Sequence, residues 1–333
     1  MIKRIFTISV FFLFFLQAHA QQEVQFSQYV FNGLAVNPAY AGYKEQLYLH
    51  SSYRQQWAGF PGAPVTGTFS ADGLTDYSDG RVGWGVLTSF EKLGPQSSTA
   101  LFVNYSYRIP MGWEEEKKLA IGLGVGVTNY NVDGSNRKYV DADDPDVVLG
   151  RQTTLVPDAR VGVYYNSATS FVGLSVLNLF SAYTGGKIFL GNGLLYSTLR
   201  KSRHMYLSAG TIFSLNQEVQ LKPSIMVKGD FKGPVNVDVN IFVLLQETLW
   251  IGASYRTGFN YPGNTNLQPN LDPNNAFSLM MEVYASDNFR IGYSYDLSTN
   301  GISRYQRGSH ELSIGITIPT SASMNKVQCP RHF

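Results

Sequence analysis

Polar and apolar side chains alternate strictly through residues 289–298. Phe289, Ile291, Tyr293, Tyr295 and Leu297 fall on one face, and Arg290, Gly292, Ser294, Asp296 and Ser298 on the other. Successive residues of a strand point to opposite sides of its sheet, so this segment reads as a strand with one apolar and one polar wall. The pattern recurs. Leu119, Ile121, Leu123, Val125 and Val127 oppose Ala120, Gly122, Gly124, Gly126 and Thr128. Val235, Val237, Val239, Ile241 and Val243 oppose Asn236, Asp238, Asn240 and Phe242, and Leu312, Ile314, Ile316 and Ile318 oppose Glu311, Ser313, Gly315 and Thr317. The segments that alternate or are strand-like number about fourteen. They are residues 46–53, 65–71, 81–90, 99–109, 118–130, 158–166, 170–176, 203–213, 219–228, 235–244, 248–256, 276–285, 289–298 and 310–319. The first two alternate poorly. A soluble sandwich can alternate too, but an apolar outside and a polar inside repeated down nearly the whole chain predict an all-β, transmembrane antiparallel β-barrel of about 14 strands.

The connections carry a second signal. Residues 166–169, 214–218, 246–247 and 286–288 are short polar turns of hairpin type. Between them lie long links at residues 131–156, 177–201, 257–275 and 299–309. Short and long connections alternate, as expected when short turns face the periplasm and long loops face outward. This predicts a single-domain barrel over residues 46–319, a periplasmic or plug-like N-terminal segment over 21–45, and a periplasmic tail over 320–333. Both termini are then periplasmic.

Lys3 and Arg4 precede an apolar run from Ile5 to Leu16, followed by Ala18-His19-Ala20. A basic end, a short apolar core and an A-x-A site predict a secretory signal peptide over residues 1–20. The run is shorter than the roughly 20 residues a spanning helix needs. Gln21 follows the site where a lipoprotein would carry Cys, so no lipid anchor is expected.

Charge refines this picture. The formal net charge is +2, and cleavage removes Lys3 and Arg4, so no basic patch suggests a nucleic-acid partner. The 32 glycines suit crowded positions inside a barrel, and the 21 Tyr and 4 Trp suit the membrane interface. The polar faces carry Arg108, Arg160, Lys222, Lys228, Asp238, Arg256, Glu282, Arg290, Asp296 and Glu311. Charges of both signs are costly against lipid and acceptable inside a lumen where they pair. No row of one sign suggests an ion-selective pore. The single Cys, Cys329, cannot form an internal disulfide.

Catalytic chemistry is not legible. The histidines after the signal peptide are His50, His204, His310 and His332, none in a hydrolase motif. Ser309-His310-Glu311 are neighbours whose side chains alternate faces on a strand, so they do not form a catalytic set. No phosphate loop or Cys/His zinc spacing is present, and no cofactor is expected. Asp141, Asp143, Asp144 and Asp146 crowd one long loop and are weak candidates for Ca²⁺. They lack EF-hand spacing, and a solvated acidic loop tip explains them equally well.

Residues 25–42, Gln25-Phe-Ser-Gln-Tyr-Val-Phe-Asn-Gly-Leu-Ala-Val-Asn-Pro-Ala-Tyr-Ala-Gly42, are aromatic-rich and too irregular for a strand. They read as a periplasmic lip or as a piece folded into the barrel. Arg54-Gln-Gln-Trp-Ala-Gly-Phe-Pro-Gly-Ala-Pro64 follows the first strand. With these two segments, and with Cys329-Pro330-Arg331 near the end, the chain resembles the PorP/SprF family of type IX secretion system outer-membrane proteins. The resemblance implies a non-enzymatic integral outer-membrane component of the secretion and gliding apparatus of Bacteroidota. Its implied partners, besides outer-membrane lipid, are a secreted surface protein held by its C-terminal sorting domain or periplasmic type IX components. Candidate partner-binding residues are Phe26, Tyr29, Asn37, Pro38, Tyr40 and Gly42 on the periplasmic side, and Trp57, Gly59, Phe60 and Pro64 outside. Aromatics with Pro and Gly supply contact area at low ordering cost. Turn chemistry alone equally suits a rigid loop packed on the rim. The alternative is a passive outer-membrane uptake channel of the fatty-acid-transporter type, which would need an apolar path through the lumen and an N-terminal plug.

Overall fold

The computed structural model describes residues 26–76, 79–112, 117–135, 150–182, 187–189, 197–200, 202–230, 234–259 and 274–319. The alternating segments become strands β1 (Leu47–Gln55), β2 (Val65–Leu74), β3 (Val82–Leu93), β4 (Gln96–Met111), β5 (Lys117–Asp133), β6 (Arg151–Asn166) and β7 (Ser170–Leu177). They continue as β8 (His204–Thr211), β9 (Val219–Gly229), β10 (Val235–Leu245), β11 (Leu249–Phe259), β12 (Asn274–Ser286), β13 (Phe289–Ser298) and β14 (Ser309–Ile318). A two-residue strand, Phe213–Ser214, carries the edge of β8 onward along β9.

Each strand pairs antiparallel with its chain neighbours, and β1 also pairs with β14, Leu47 against Ile318 through Gln55 against His310. That last ladder closes the sheet into a 14-stranded barrel without a free edge. The sorting of faces follows the sequence pattern. Leu101, Val103 and Tyr105 of β4, Ile121, Leu123 and Val125 of β5, and Ile314 and Ile316 of β14 are exposed on the outer wall. All ten charged residues assigned to the lumen from sequence are buried inside.

Two expectations need correction. β6 begins at Arg151, and β5 runs to Asp133, so much of the link expected over 131–156 is paired sheet, Asp133 opposite Arg151. Here Arg151, Thr153 and Leu155 are exposed and the residues between them only half-buried, because strands reaching beyond the hydrocarbon meet water on both faces and lose their alternation. The link expected over 177–201 likewise contains a 3₁₀ turn, Leu179–Ala182, and a small hairpin of Lys187–Phe189 with Ser197–Arg200.

The second concerns residues 26–45, expected as a periplasmic or plug-like segment, of which only the plug-like part holds. They lie inside the barrel as a 3₁₀ turn (Tyr29–Phe31), a single helical turn (Gly33–Val36) and a further 3₁₀ turn (Pro38–Tyr40). Of the two sequence readings, the piece folded into the barrel is the one observed. Its apolar side chains form the core with the wall. Leu34, Ala39, Tyr40 and Tyr43 pack on Leu87, Phe102 and Tyr164, Phe31 on Phe242 and Trp250, and Tyr29 on Leu177, Tyr206 and Met226.

Candidate functional site

The internal segment is bonded to the wall along its whole length. At its start, Ser27 donates its amide to Glu311 Oε2 at 2.8 Å and its hydroxyl to Asp296 Oδ2 at 2.6 Å. Arg54 Nη1 donates to Ser27 Oγ at 3.0 Å and to Glu311 Oε2 at 3.1 Å, while its Nη2 reaches Asp296 Oδ2 at 2.6 Å. Gln28 donates to the Glu311 carbonyl at 2.8 Å and accepts from Ser313 Oγ at 2.6 Å. Further along, Asn240 Nδ2 donates to Tyr29 Oη at 2.7 Å, and Asn37 Nδ2 donates to the Val163 carbonyl at 3.0 Å. At its end, Gly42 donates its amide to Asp72 Oδ2 at 2.9 Å, and Arg108 Nη1 donates to the Gly42 carbonyl at 2.7 Å. Arg108 and Lys118 both pair with Glu45. A buried polar group without a partner costs free energy, and this irregular backbone meets that demand through wall side chains.

These partners fix the direction of the segment. Arg54, Asp296 and Glu311 lie within three residues of the strand ends that carry connections 56–64 and 299–308. Asp72, Arg108 and Lys118 lie within four residues of the opposite ends, where 75–81 and 112–116 connect their strands. The segment therefore runs from the mouth bearing the longer connections to the mouth bearing the short turns, and then reverses into β1.

Wall glycines let it pass. A Cβ on Gly122 would stand 2.2 Å from the Ala39 amide nitrogen, and one on Gly83 would stand 2.1 Å from the Ala41 carbonyl oxygen. Both neighbours are backbone and neither can swing aside. Gly122→Val is expected to displace residues 38–42 and to cost about 1–3 kcal/mol, the usual penalty of overpacking. Limited proteolysis of the folded barrel should then cut within residues 26–45. Full protection in the variant would count against this packing.

Several of the buried charges are paired. Arg256 Nε lies 2.9 Å from Asp238 Oδ1, Lys228 Nζ 3.1 Å from Asp238 Oδ2, and Arg290 Nη1 3.1 Å from Glu282 Oε1. Arg290 also donates to Tyr48 Oη and stacks 4.5 Å from its ring centroid. Such pairs fix geometry more than they add stability, and removal of one member strands the other.

The rim motif is a built turn. Trp57, with φ of 49°, donates its amide to Ser309 Oγ at 3.0 Å. Ala58 and the following connection exchange backbone bonds: Ala58 N to Gly308 O at 2.7 Å, and Arg307 N to Ala58 O at 2.8 Å. Gly94 N donates to Gly62 O at 3.0 Å. Connections 56–64 and 299–308 thus form one platform, on which Gly59, Phe60, Arg304 and Tyr305 are exposed, Trp57 is half-buried and Pro64 is buried.

The other sequence candidates lie elsewhere. Tyr29, Asn37, Pro38, Tyr40 and Gly42 are buried inside the barrel and Phe26 is half-buried, so they do not form an open periplasmic surface. Their composition reads as contact area because it is contact area, made with the wall. Gly42, with φ of 75°, serves the turn toward β1. Sequence reasoning missed Arg54, His50 and Asp72 as lumen groups, although they share the inward parity of Ser52 and Ser70. Outward Ser51 and Gly67 had blurred the alternation there. Asp141, Asp143, Asp144 and Asp146, and Cys329, lie outside the described residues.

A closed barrel with an apolar outer wall, filled by its own N-terminal segment, defines the molecule as an outer-membrane β-barrel carrying an internal plug. The chain belongs to the family described as "Type IX secretion system membrane protein PorP/SprF", whose sequence profile matches residues 18–316. Among solved structures it is similar to the outer-membrane protein Omp33 of Acinetobacter baumannii, at 7% identity and TM-score 0.44, covering 83% of this chain and 100% of that one. It is also similar to a FadL homologue of Pseudomonas aeruginosa, at 11% identity and TM-score 0.43, covering 87% and 92%. A mutant of the monoaromatic hydrocarbon channel TodX gives 9% identity and TM-score 0.45, covering 86% and 93%. No curated protein matches the chain.

Proposed function

We propose that this protein is a non-enzymatic anchor of type IX secretion, oriented with its longer connections outside the cell and its short turns in the periplasm. It holds either a secreted surface protein, through that protein's C-terminal sorting domain, or periplasmic components of the machinery. The reading rests on the filled lumen. A barrel whose interior is occupied from Ser27 to Glu45 by its own bonded chain suits an assembly partner, and a closed sheet leaves a partner only rims and loops. The platform of Trp57, Phe60 and Tyr305 supplies aromatic area on the outer rim, the composition of interaction hot spots.

Affinity purification from native membranes tests this. The wild type should bring down a stoichiometric protein of the secretion machinery, and Phe60→Ala or Tyr305→Ala should weaken that recovery while the barrel stays folded. Undiminished recovery with both variants would move the contact away from the platform. The second reading, a passive uptake channel, shares the plug with the first but meets buried ion pairs such as Arg256–Asp238 where that class would need an apolar path. It is supported if the protein purifies alone and the reconstituted barrel conducts small solutes.

A further inference from the structure

We infer that the chain leading into Phe26 enters the lumen from the mouth ringed by the longer connections, so that the mature amino terminus shares a face with the Trp57–Tyr305 platform. This reverses the expectation that both termini are periplasmic. Ser27 has three charged partners, Arg54, Asp296 and Glu311, and all sit near the long-connection ends of their strands. The Phe26 carbonyl accepts from Arg256, itself three residues from the long-connection end of β11. Tyr29 packs on Leu177 and Tyr206, again at that end. The other end of the plug, at Glu45, is held by Arg108 and Lys118 beside the short turns. The plug is thus a threaded strand of chain with opposite exits.

Length closes the argument. With cleavage after Ala20, five residues precede Phe26, and fully extended they reach at most about 17 Å. The wall from Arg54 down to Leu47 spans seven residue steps, roughly 23 Å along the strand. At the usual strand tilt of about 40° that is roughly 18 Å of depth, so the leading residues could reach the short-turn mouth only fully extended through a lumen the plug already occupies. The inference rests on the proposed orientation only in taking that shared face to be the cell exterior; that the terminus and the platform share a face does not.

Single cysteines in a Cys329→Ser background test it: Gln22→Cys for the leading residues, Ser303→Cys for the platform connection and Asp287→Cys for a short turn. Each is challenged on intact cells with a polyethylene-glycol maleimide too large for porins, and again after the outer membrane is permeabilised. Heat-modifiable migration verifies that each barrel is folded. Gln22→Cys should label like Ser303→Cys, on intact cells, with Asp287→Cys labelled only after permeabilisation. If Gln22→Cys instead follows Asp287→Cys, the inference is overturned. If Asp287→Cys labels on intact cells and the other two do not, the proposed orientation fails while the shared face stands. Should Gln22→Cys not fold, a protease-cleavable tag inserted before Gln22 gives the same readout by cleavage from outside.

Discussion

Glu311→Ala is expected to lower the stability of the barrel by about 2–5 kcal/mol, the cost of leaving the buried Ser27 and Gln28 amides without their acceptor. Glu311 is 1% exposed and accepts from the Ser27 amide, the Gln28 amide and Arg54. It stands directly opposite Arg54 in the β1–β14 ladder, so the lost carboxylate opens the seam at which the sheet closes on itself. Arg54 keeps Asp296, and the clasp loses its excess negative charge. The midpoint temperature of the heat-modifiable, folded band in detergent measures the loss. The double variant Arg54→Ala with Glu311→Ala should cost less than the two single losses added, since the pair is coupled. A midpoint unchanged by Glu311→Ala would show that the clasp does not hold the seam.

The second large effect lies three residues further along β14, on its outer face. Ile314→Arg places a charge on the outer face, between Ser51 of β1 and Ile291 of β13. It should reduce insertion by about 2–4 kcal/mol near the midplane, and less toward either rim. Ser313, on the polar face of the same strand, offers Ser313→Arg as a control that is milder unless it clashes. The structure withdraws that control, because Ser313 is 2% exposed and donates to Gln28 of the plug. An Arg there must expel the plug's first turn. Ser313→Ala is the proper comparison and should be nearly silent. Folding yield into lipid vesicles separates the cases, and Ile314→Arg folding as well as Ile314→Leu would refute lipid contact at this position.

The strands were legible because a barrel wall writes its two environments into alternate residues, and every one of the fourteen predicted segments overlaps a strand of the ring. Their ends were less legible where the wall leaves the membrane, as at Arg151–Val156, because water on both faces removes the pattern. The plug was harder. Its residues are held by hydrogen bonds to partners such as Val163, Asp296 and Glu311, far away in sequence, and no local period announces such contacts. Tyr40 illustrates the ambiguity. An aromatic in an irregular segment suits a partner surface or a core, and only its packing against Tyr43 and Tyr164, at 4.9 and 5.5 Å between ring centroids, decides for the core. Tyr40→Ala would therefore probe stability, with a cost on the order of 3 kcal/mol for emptying a packed site. The platform was half-legible: residues 54–64 looked like a turn, but its bonds to residues 307–309 join loops from opposite ends of the chain.

Ser27 and Glu311 are 284 residues apart, and joining the ends of so long a flexible loop costs about 5 kcal/mol in chain entropy. The Ser27 end of the plug therefore completes its anchor only when the last strand of the protein arrives, and that strand closes the ring in the same event. The first part of the chain to be exported is in this way the last to be fixed. Until then an aromatic, irregular stretch and two open sheet edges are exposed together, a combination prone to aggregation. Delivery to the membrane must keep both shielded until the whole chain has crossed, so shortening β14 by even a few residues should cost the cell the entire protein rather than one strand of it.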